Sequence, residues 1–287
     1  MIRNYLFITL AILVFACEEN NVMDQGIVDP AFSTEPQTIC GEELSYARFP
    51  DDAIDVAANE TYIFKVAVNR VVYAYNREDD SWVSLGGQAR RITVDGANNI
   101  WITNHDNEIY RCTFFSNYTR TDWEKMSGKA TDIGASSLGV VYILGDREIG
   151  KEYDVYRRTA TGWNKIGGRG RRIAAGNSAD AWLINKNNKI YRLSGNQWTK
   201  ISGEARDIAE GGGNTQGLYI VGNTENSGDD GYEVYSYDYS DETWCKVRGI
   251  GTNITVKGGL PIVSNSRNEM YGGCLRGAAG TLACAFD

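Results

Sequence analysis

One short pattern recurs three times with side chains suited to holding a polar ligand. Asn104-His105-Asp106-Asn107-Glu108-Ile109-Tyr110, Asn185-Lys186-Asn187-Asn188-Lys189-Ile190-Tyr191 and Asn265-Ser266-Arg267-Asn268-Glu269-Met270-Tyr271 share two asparagines three apart and a closing tyrosine. A carboxamide both donates and accepts, which suits sugar hydroxyls. Asn104, Asn185 and Asn265 are therefore candidate ligand-binding residues, with His105 beside the first. The same pattern also fits a tight hairpin, with an Asx-turn at the first Asn and a left-handed residue at the second. Arg90-Arg91, Asp132, Arg171-Arg172, Arg206-Asp207 and Asn253 stand in short segments leading into predicted strands. A guanidinium grips phosphate or carboxylate with two parallel hydrogen bonds, so Arg91, Arg172 and Arg206 join the candidates. Pairing with a neighbouring aspartate is the competing role.

Catalytic patterns are sparse. His105 is the single histidine, so no Ser-His-Asp or Cys-His pair can form around another imidazole. Asp51-Asp52, Asp79-Asp80 and Asp229-Asp230 are adjacent acids, a spacing that does not set the carboxylate separation glycoside hydrolysis needs. Gly211-Gly212-Gly213 lacks the Lys-Ser/Thr of a phosphate-binding loop. No Cys/His cluster suggests zinc. The expectation is a non-enzymatic protein without metal or cofactor. Asn59, Asn117 and Asn253 each begin an Asn-x-Thr acceptor sequence for N-glycosylation.

What must position these residues is a repeat. Trp82, Trp123, Trp163, Trp198 and Trp244 each precede an isoleucine by ten residues (Ile92, Ile133, Ile173, Ile208, Ile254). Each is followed by a glycine four or five residues on and by Ala or Gly at the seventh (Ala89, Ala130, Gly170, Ala205, Gly251). The tryptophans are 41, 40, 35 and 46 residues apart, a period of propellers and solenoids. Each unit offers four short apolar strands, which predicts an all-β, six-bladed β-propeller of four-stranded antiparallel blades over residues 44–287. Gly145 and Gly222 replace the first Asn in alternate units, ahead of longer loops. The sixth unit lacks a closing Trp. Its fourth strand comes either from Thr281–Phe286 or from Leu44–Phe49, where Leu44 lies ten residues before Ile54.

The pattern Trp…Gly…Ala…Ile, then Ile-Trp-x-x-Asn, then Ile-Tyr-Arg resembles the tectonin repeat, found in slime-mould tectonin, fish-egg lectins and a horseshoe-crab tachylectin that binds lipopolysaccharide. The resemblance covers about residues 44–273. It implies a six-bladed propeller that recognises glycans or lipopolysaccharide-like surface polymers multivalently. A protein-binding scaffold is the other role it implies.

Composition agrees with many short strands joined by turns, with 32 glycines against 4 prolines. A net charge of −8 argues against nucleic acid or an anionic membrane surface as partner. Residues 1–16 read as a signal peptide, with Arg3 ahead of an apolar run from Tyr5 to Ala16 that is too short to span a bilayer. Residues 17–43 read as a flexible tether. Val14-Phe15-Ala16-Cys17 resembles a bacterial lipobox, so Cys17 is the expected lipidation site and the only expected membrane attachment. The expected location is the cell envelope or the extracellular space. Among six cysteines, Cys274 and Cys284 are the preferred disulfide across a final hairpin, with Cys40–Cys284 as the alternative.

Overall fold

The computed structural model describes residues 44–176, 180–211, 217–225, 230–276 and 281–286. All of them belong to the unit Ser33–Asp287. The expected signal peptide, tether and Cys17 lie outside the described residues, as does Cys40.

Strand β1 (Ser45–Asp52) precedes a four-stranded meander of β2 (Asp55–Ala58), β3 (Ile63–Val66), β4 (Val72–Asn76) and β5 (Ser81–Gly86). A seven-stranded sheet follows: β6 (Arg91–Val94), β7 (Asn99–Thr103), β8 (Glu108–Thr113), β9 (Glu124–Ala135), β10 (Val141–Ile149), β11 (Glu152–Thr159) and β12 (Gly162–Gly170). A second has β13 (Arg172–Ala175), β14 (Ala181–Ile184), β15 (Lys189–Ser194), β16 (Gln197–Glu210), β17 (Leu218–Glu225), β18 (Tyr232–Asp238) and β19 (Thr243–Gly251). The last sheet contains β20 (Asn253–Lys257), β21 (Leu260–Ser264), β22 (Glu269–Arg276) and the short β23 (Leu282–Cys284), and β1 returns to pair with β22.

The seven-stranded sheets are two meanders joined by one long strand. β9 pairs with β8 through Glu124, Lys125 and Lys129, then with β10 through Ala130–Ala135. β16 does the same, pairing Gln197–Glu204 with β15 and Ala205–Glu210 with β17. Each long strand is thus the outer strand of one unit and the first strand of the next. The first strands touch in a closed circle, β2 to β6, β9, β13, β16, β20 and back to β2.

Burial follows this arrangement. The second strands β3, β14 and β21 are buried at every position, whereas the outer β12 mixes exposed and half-buried residues up to the buried Gly170. The second strand has sheet neighbours at both edges and packed units on both faces, so it reads as a continuous apolar run.

Closure comes from the N-terminal side. β1 runs antiparallel to β22, with Ser45 opposite Cys274, Tyr46 opposite Gly273 and Arg48 opposite Tyr271. The register shows that Tyr46, not Leu44, takes the tryptophan position. Trp163 sits opposite Arg158, two residues past Tyr156, and Tyr46 sits opposite the residue two past Tyr271. Tyr46 precedes Ala53 by seven and Val56 by ten, so the first unit is offset by two from the expected Leu44–Ile54 register. The C-terminal residues do not supply the fourth strand. β23 pairs with the end of β22, and Cys274–Cys284 bridges them, which excludes the Cys40–Cys284 alternative. Cys245 is also disulfide-bonded, and Cys112 is free and buried.

The repeated aromatics join neighbouring units. Trp163 lies against Gly128, Trp198 against Gly168, Trp244 against Gly203 and Tyr46 against Gly249, each aromatic covering the glycine five residues after the preceding aromatic. The indole N–H of Trp163 donates to the Ser127 carbonyl at 2.7 Å, and that of Trp244 to Ser202 at 2.8 Å. A β-carbon at Gly168 would lie 2.5 Å from Trp198 Nε1, so only glycine permits this approach.

Gly168 and Gly139 share a positive φ (80° and 77°), yet nothing lies within 4 Å of a β-carbon at Gly139. Gly139→Ala therefore carries only the backbone cost of about 1 kcal/mol. Gly168→Ala adds overpacking of about 1–3 kcal/mol. Urea midpoints of the two variants measure the difference.

Candidate functional site

The residues immediately before each repeat isoleucine, or before Val56 in the first unit, form a ring where the first strands begin. Going round, they are Asp55, Arg91, Asp132, Arg172, Asp207 and Asn253. Arg91 Nε donates to Asp132 at 2.8 Å and its Nη1 lies 3.1 Å from Asp55. Arg172 reaches Asp207 at 2.6 Å and Asp132 at 3.6 Å. Asn253 Oδ1 accepts from both arginines, at 2.9 and 3.2 Å, and its Nδ2 donates to the Ile54 carbonyl at 3.0 Å. Each aspartate also accepts a backbone N–H from the next unit: Ile92 on Asp55, Ile173 on Asp132 and Ile254 on Asp207, at 2.8–3.0 Å. Burial acts to lower the Arg91 pKa, but Asp55, Asp132 and Asp207 together hold it above its usual value.

Two of the candidate arginines thus lie in a largely buried ion network that joins the first strands. Arg91 and Arg172 keep 17% of side-chain exposure. Arg206 points elsewhere, its guanidinium stacked over the Tyr232 ring at 3.8 Å. The Asn253 side chain is committed to the ring.

The asparagine hairpins have the geometry of the turn role. Asn107, Asn188 and Asn268 adopt φ of 60°, 60° and 67°. Asn104 Oδ1 accepts from the N–H groups of Asp106 and Glu108, and Asn185 and Asn265 repeat this with residues two and four further on. Asn104 Nδ2 donates to Glu108 and Asn265 Nδ2 to Glu269. Hydrogen bonds from Lys125, Tyr110 and Asn104 hold the Glu108 carboxyl down at about 2. His105 is exposed at the turn tip. Gly145 and Gly222, in place of the first Asn, leave room for the Tyr156 and Tyr235 rings, which lie 3.0 and 2.7 Å from where a β-carbon would stand.

Two clefts between neighbouring units were not legible as sites. One, of about 250 Å³, lies between β9 and β10–β12, with Trp163, Tyr156 and Ile143 as apolar walls and Lys129, Asp146 and Arg147 at its rim. The other, of about 220 Å³, lies between β19 and β21–β22, with Tyr46, Tyr271 and Val263 as walls and Arg248, Asn265 and Arg267 at its rim. They occupy the same repeat positions, since Ile143 faces Tyr156 and Val263 faces Tyr271 across a strand pair. The buried Tyr46 hydroxyl has no hydrogen-bond partner. The signal was the tyrosine two residues before each outer-strand aromatic contact, but which units leave the gap open depends on neighbours.

Other units fill the gap. Opposite Tyr73 stands Lys65, fully buried, its ammonium 4.2 Å from the Trp82 ring centre and 2.5 Å from Asp51. Between β15 and β17, Asn188 donates to Asn223, which donates to Glu204, both at 2.9 Å. Among the described residues, no group of three or more His, Cys, Asp or Glu could hold a metal.

The sequence matches the tectonin domain over residues 52–145 and 147–272. The chain belongs to the tectonin family. It is similar in structure to the WD40 β-propeller domain of Doa1, at 12% identity and TM-score 0.53, covering 81% of this chain and 96% of that one. It is also similar to Prp20p from Saccharomyces cerevisiae, at 9% identity and TM-score 0.51, covering 77% and 71%. These likenesses support the β-propeller fold alone. A search of the curated proteins found no match.

Asn104→Ala removes an acceptor for two backbone N–H groups and should lower stability by about 1 kcal/mol. Asp132→Ala leaves two largely buried arginines short of a partner and should cost about 3–5 kcal/mol. Chemical denaturation of both variants measures these losses.

Proposed function

We propose that the protein is a six-bladed, non-enzymatic propeller that binds cell-surface glycans multivalently, with the Trp163–Tyr156 and Tyr46–Tyr271 clefts as its ligand sites. The observation carrying this reading is the repetition of one cleft design at equivalent positions. Each cleft pairs aromatic walls with a rim of charged or amide groups. An apolar lining with a few placed polar groups suits a small polar ligand with a hydrophobic face, and a sugar ring is such a ligand. Asn265 belongs to the second rim, while Asn104, Asn185, His105 and Arg206 stand outside both clefts' linings.

A single such site binds a monosaccharide weakly, because hydrogen bonds to sugar replace hydrogen bonds to water. Two sites on one rigid ring gain about 10²–10⁴ in avidity on a repetitive polymer. An exported chain held at the envelope through Cys17, or released from it, would present that ring to lipopolysaccharide-like polymers. A protein partner is the second reading, favoured by the exposure of Phe115 (46%) and Leu138 (68%).

The test is retention of the protein on immobilised lipopolysaccharide, set against competition by free monosaccharides. Tyr156→Ala and Tyr271→Ala should each weaken retention, and the double variant should lose it while its melting transition persists. Loss only in the Asn104→Ala, Asn185→Ala, Asn265→Ala triple variant moves the site to the hairpin turns. No retention of the parent on any glycan favours the protein-partner reading.

A further inference from the structure

The ring of first-strand residues lacks one charge. Arg91 lies between Asp55 and Asp132, and Arg172 between Asp132 and Asp207. The equivalent place between Asp207 and Asp55 holds Asn253, whose carboxamide is neutral. Three carboxylates therefore face two guanidiniums, and the aspartates are all under 5% exposed. An excess buried charge is expensive unless it is neutralised. The shortfall falls on Asp55. Asp132 and Asp207 each have both arginines within 4.0 Å, whereas Asp55 has Arg91 at 3.1 Å. A central cavity of about 70 Å³, lined by all six first strands, borders Asp55, Arg91 and Asp207.

We propose that Asp55 is a proton-binding site, and that a proton there takes the place of the ring's third arginine and makes closure of the ring pH-sensitive. Burial pushes the Asp55 carboxyl up to about 6; Arg91 and Arg172 pull it down and Asp207 adds to the rise. The charged groups facing it are Arg91 on β6, Asp132 on β9, Arg172 on β13 and Asp207 on β16, with neutral Asn253 on β20. Glu210, which also lines the cavity, is itself pushed up by burial. The sign follows from linkage. The folded state holds this proton more tightly than the unfolded chain, so its contribution is complete below the ordinary aspartate value of about 3.9. It is lost as pH rises through about 6.

The test compares melting temperatures of the parent and Asp55→Asn from about pH 5 to pH 8. Asparagine keeps an acceptor for the Ile92 N–H and carries no charge, and the difference between the proteins cancels the titration of other carboxylates. The Asp55→Asn melting temperature minus that of the parent should be several degrees more positive at pH 8 than at pH 5. A difference independent of pH overturns the proposal. Asn253→Arg should shrink the parent's own loss between these pH values, and an unchanged loss counts against it. If either variant fails to fold, infrared spectroscopy of the parent decides. A protonated-carboxyl band at pH 5 that fades by pH 8 and persists in Glu210→Gln supports the proposal, and its absence at pH 5, or its loss in Glu210→Gln, overturns it.

Discussion

Every meander in this fold has two edges, and the N–H and C=O groups along an exposed edge invite pairing with another chain. Bending the meanders into a circle packs the inner edges, the first strands, against one another and leaves only the outer strands at an edge, provided that the circle closes. Closure falls to β1, which leaves β22 at Asp52 and reaches the first strand at Asp55. The same segment is therefore the outer strand of the last sheet and the lead into β2, as β9 and β16 are for their own pairs of units. Ala53 anchors the crossing by donating to the Asn268 carbonyl at 2.7 Å.

Two concentric sets of contacts then hold the units together. At the centre, an aspartate of one unit accepts the isoleucine N–H of the next and shares an arginine with its neighbours. Farther out, an aromatic ring lies over a glycine of the preceding unit. The inner set is polar and directional, so it fixes angular register; the outer set is close packing reinforced by indole N–H hydrogen bonds, and resists an added atom. At the junction of β1 with the first unit the outer set changes. Asp51 stands where the other units have glycine, Trp82 has no partner for its indole N–H, and Lys65 fills the space beneath it. The gaps left open elsewhere are the clefts.

Much of this architecture was legible in the sequence because each unit repeats a local rule. The ten-residue interval from Trp to Ile locates the outer and first strands, and Asn-x-x-Asn encodes a hairpin whose second Asn takes the left-handed conformation. The first unit was misaligned by two residues because Tyr46 replaces tryptophan, while Leu44 has the more familiar apolar spacing to Ile54. The row of Arg91, Asp132, Arg172, Asp207 and Asn253 was visible, but its pairing was not. Arg91 meets Asp132 across 41 residues and Asn253 across 162, so its partners exist only after closure. Lys65 interrupts the apolar run of β3, and its complete burial depends on Asp51 of the closing strand. The clefts are gaps between units, and a gap has no residue of its own to leave a pattern.

The central claim is that β1 closes the ring and makes the described units one cooperative structure. Native-state hydrogen exchange tests it most directly. The account predicts that the amides bonded between β1 and β22 exchange only through the same global opening as those in the long strands β9 and β16. Exchange of the β1–β22 amides through a separate, low-energy opening, with β9 and β16 still protected, would contradict it.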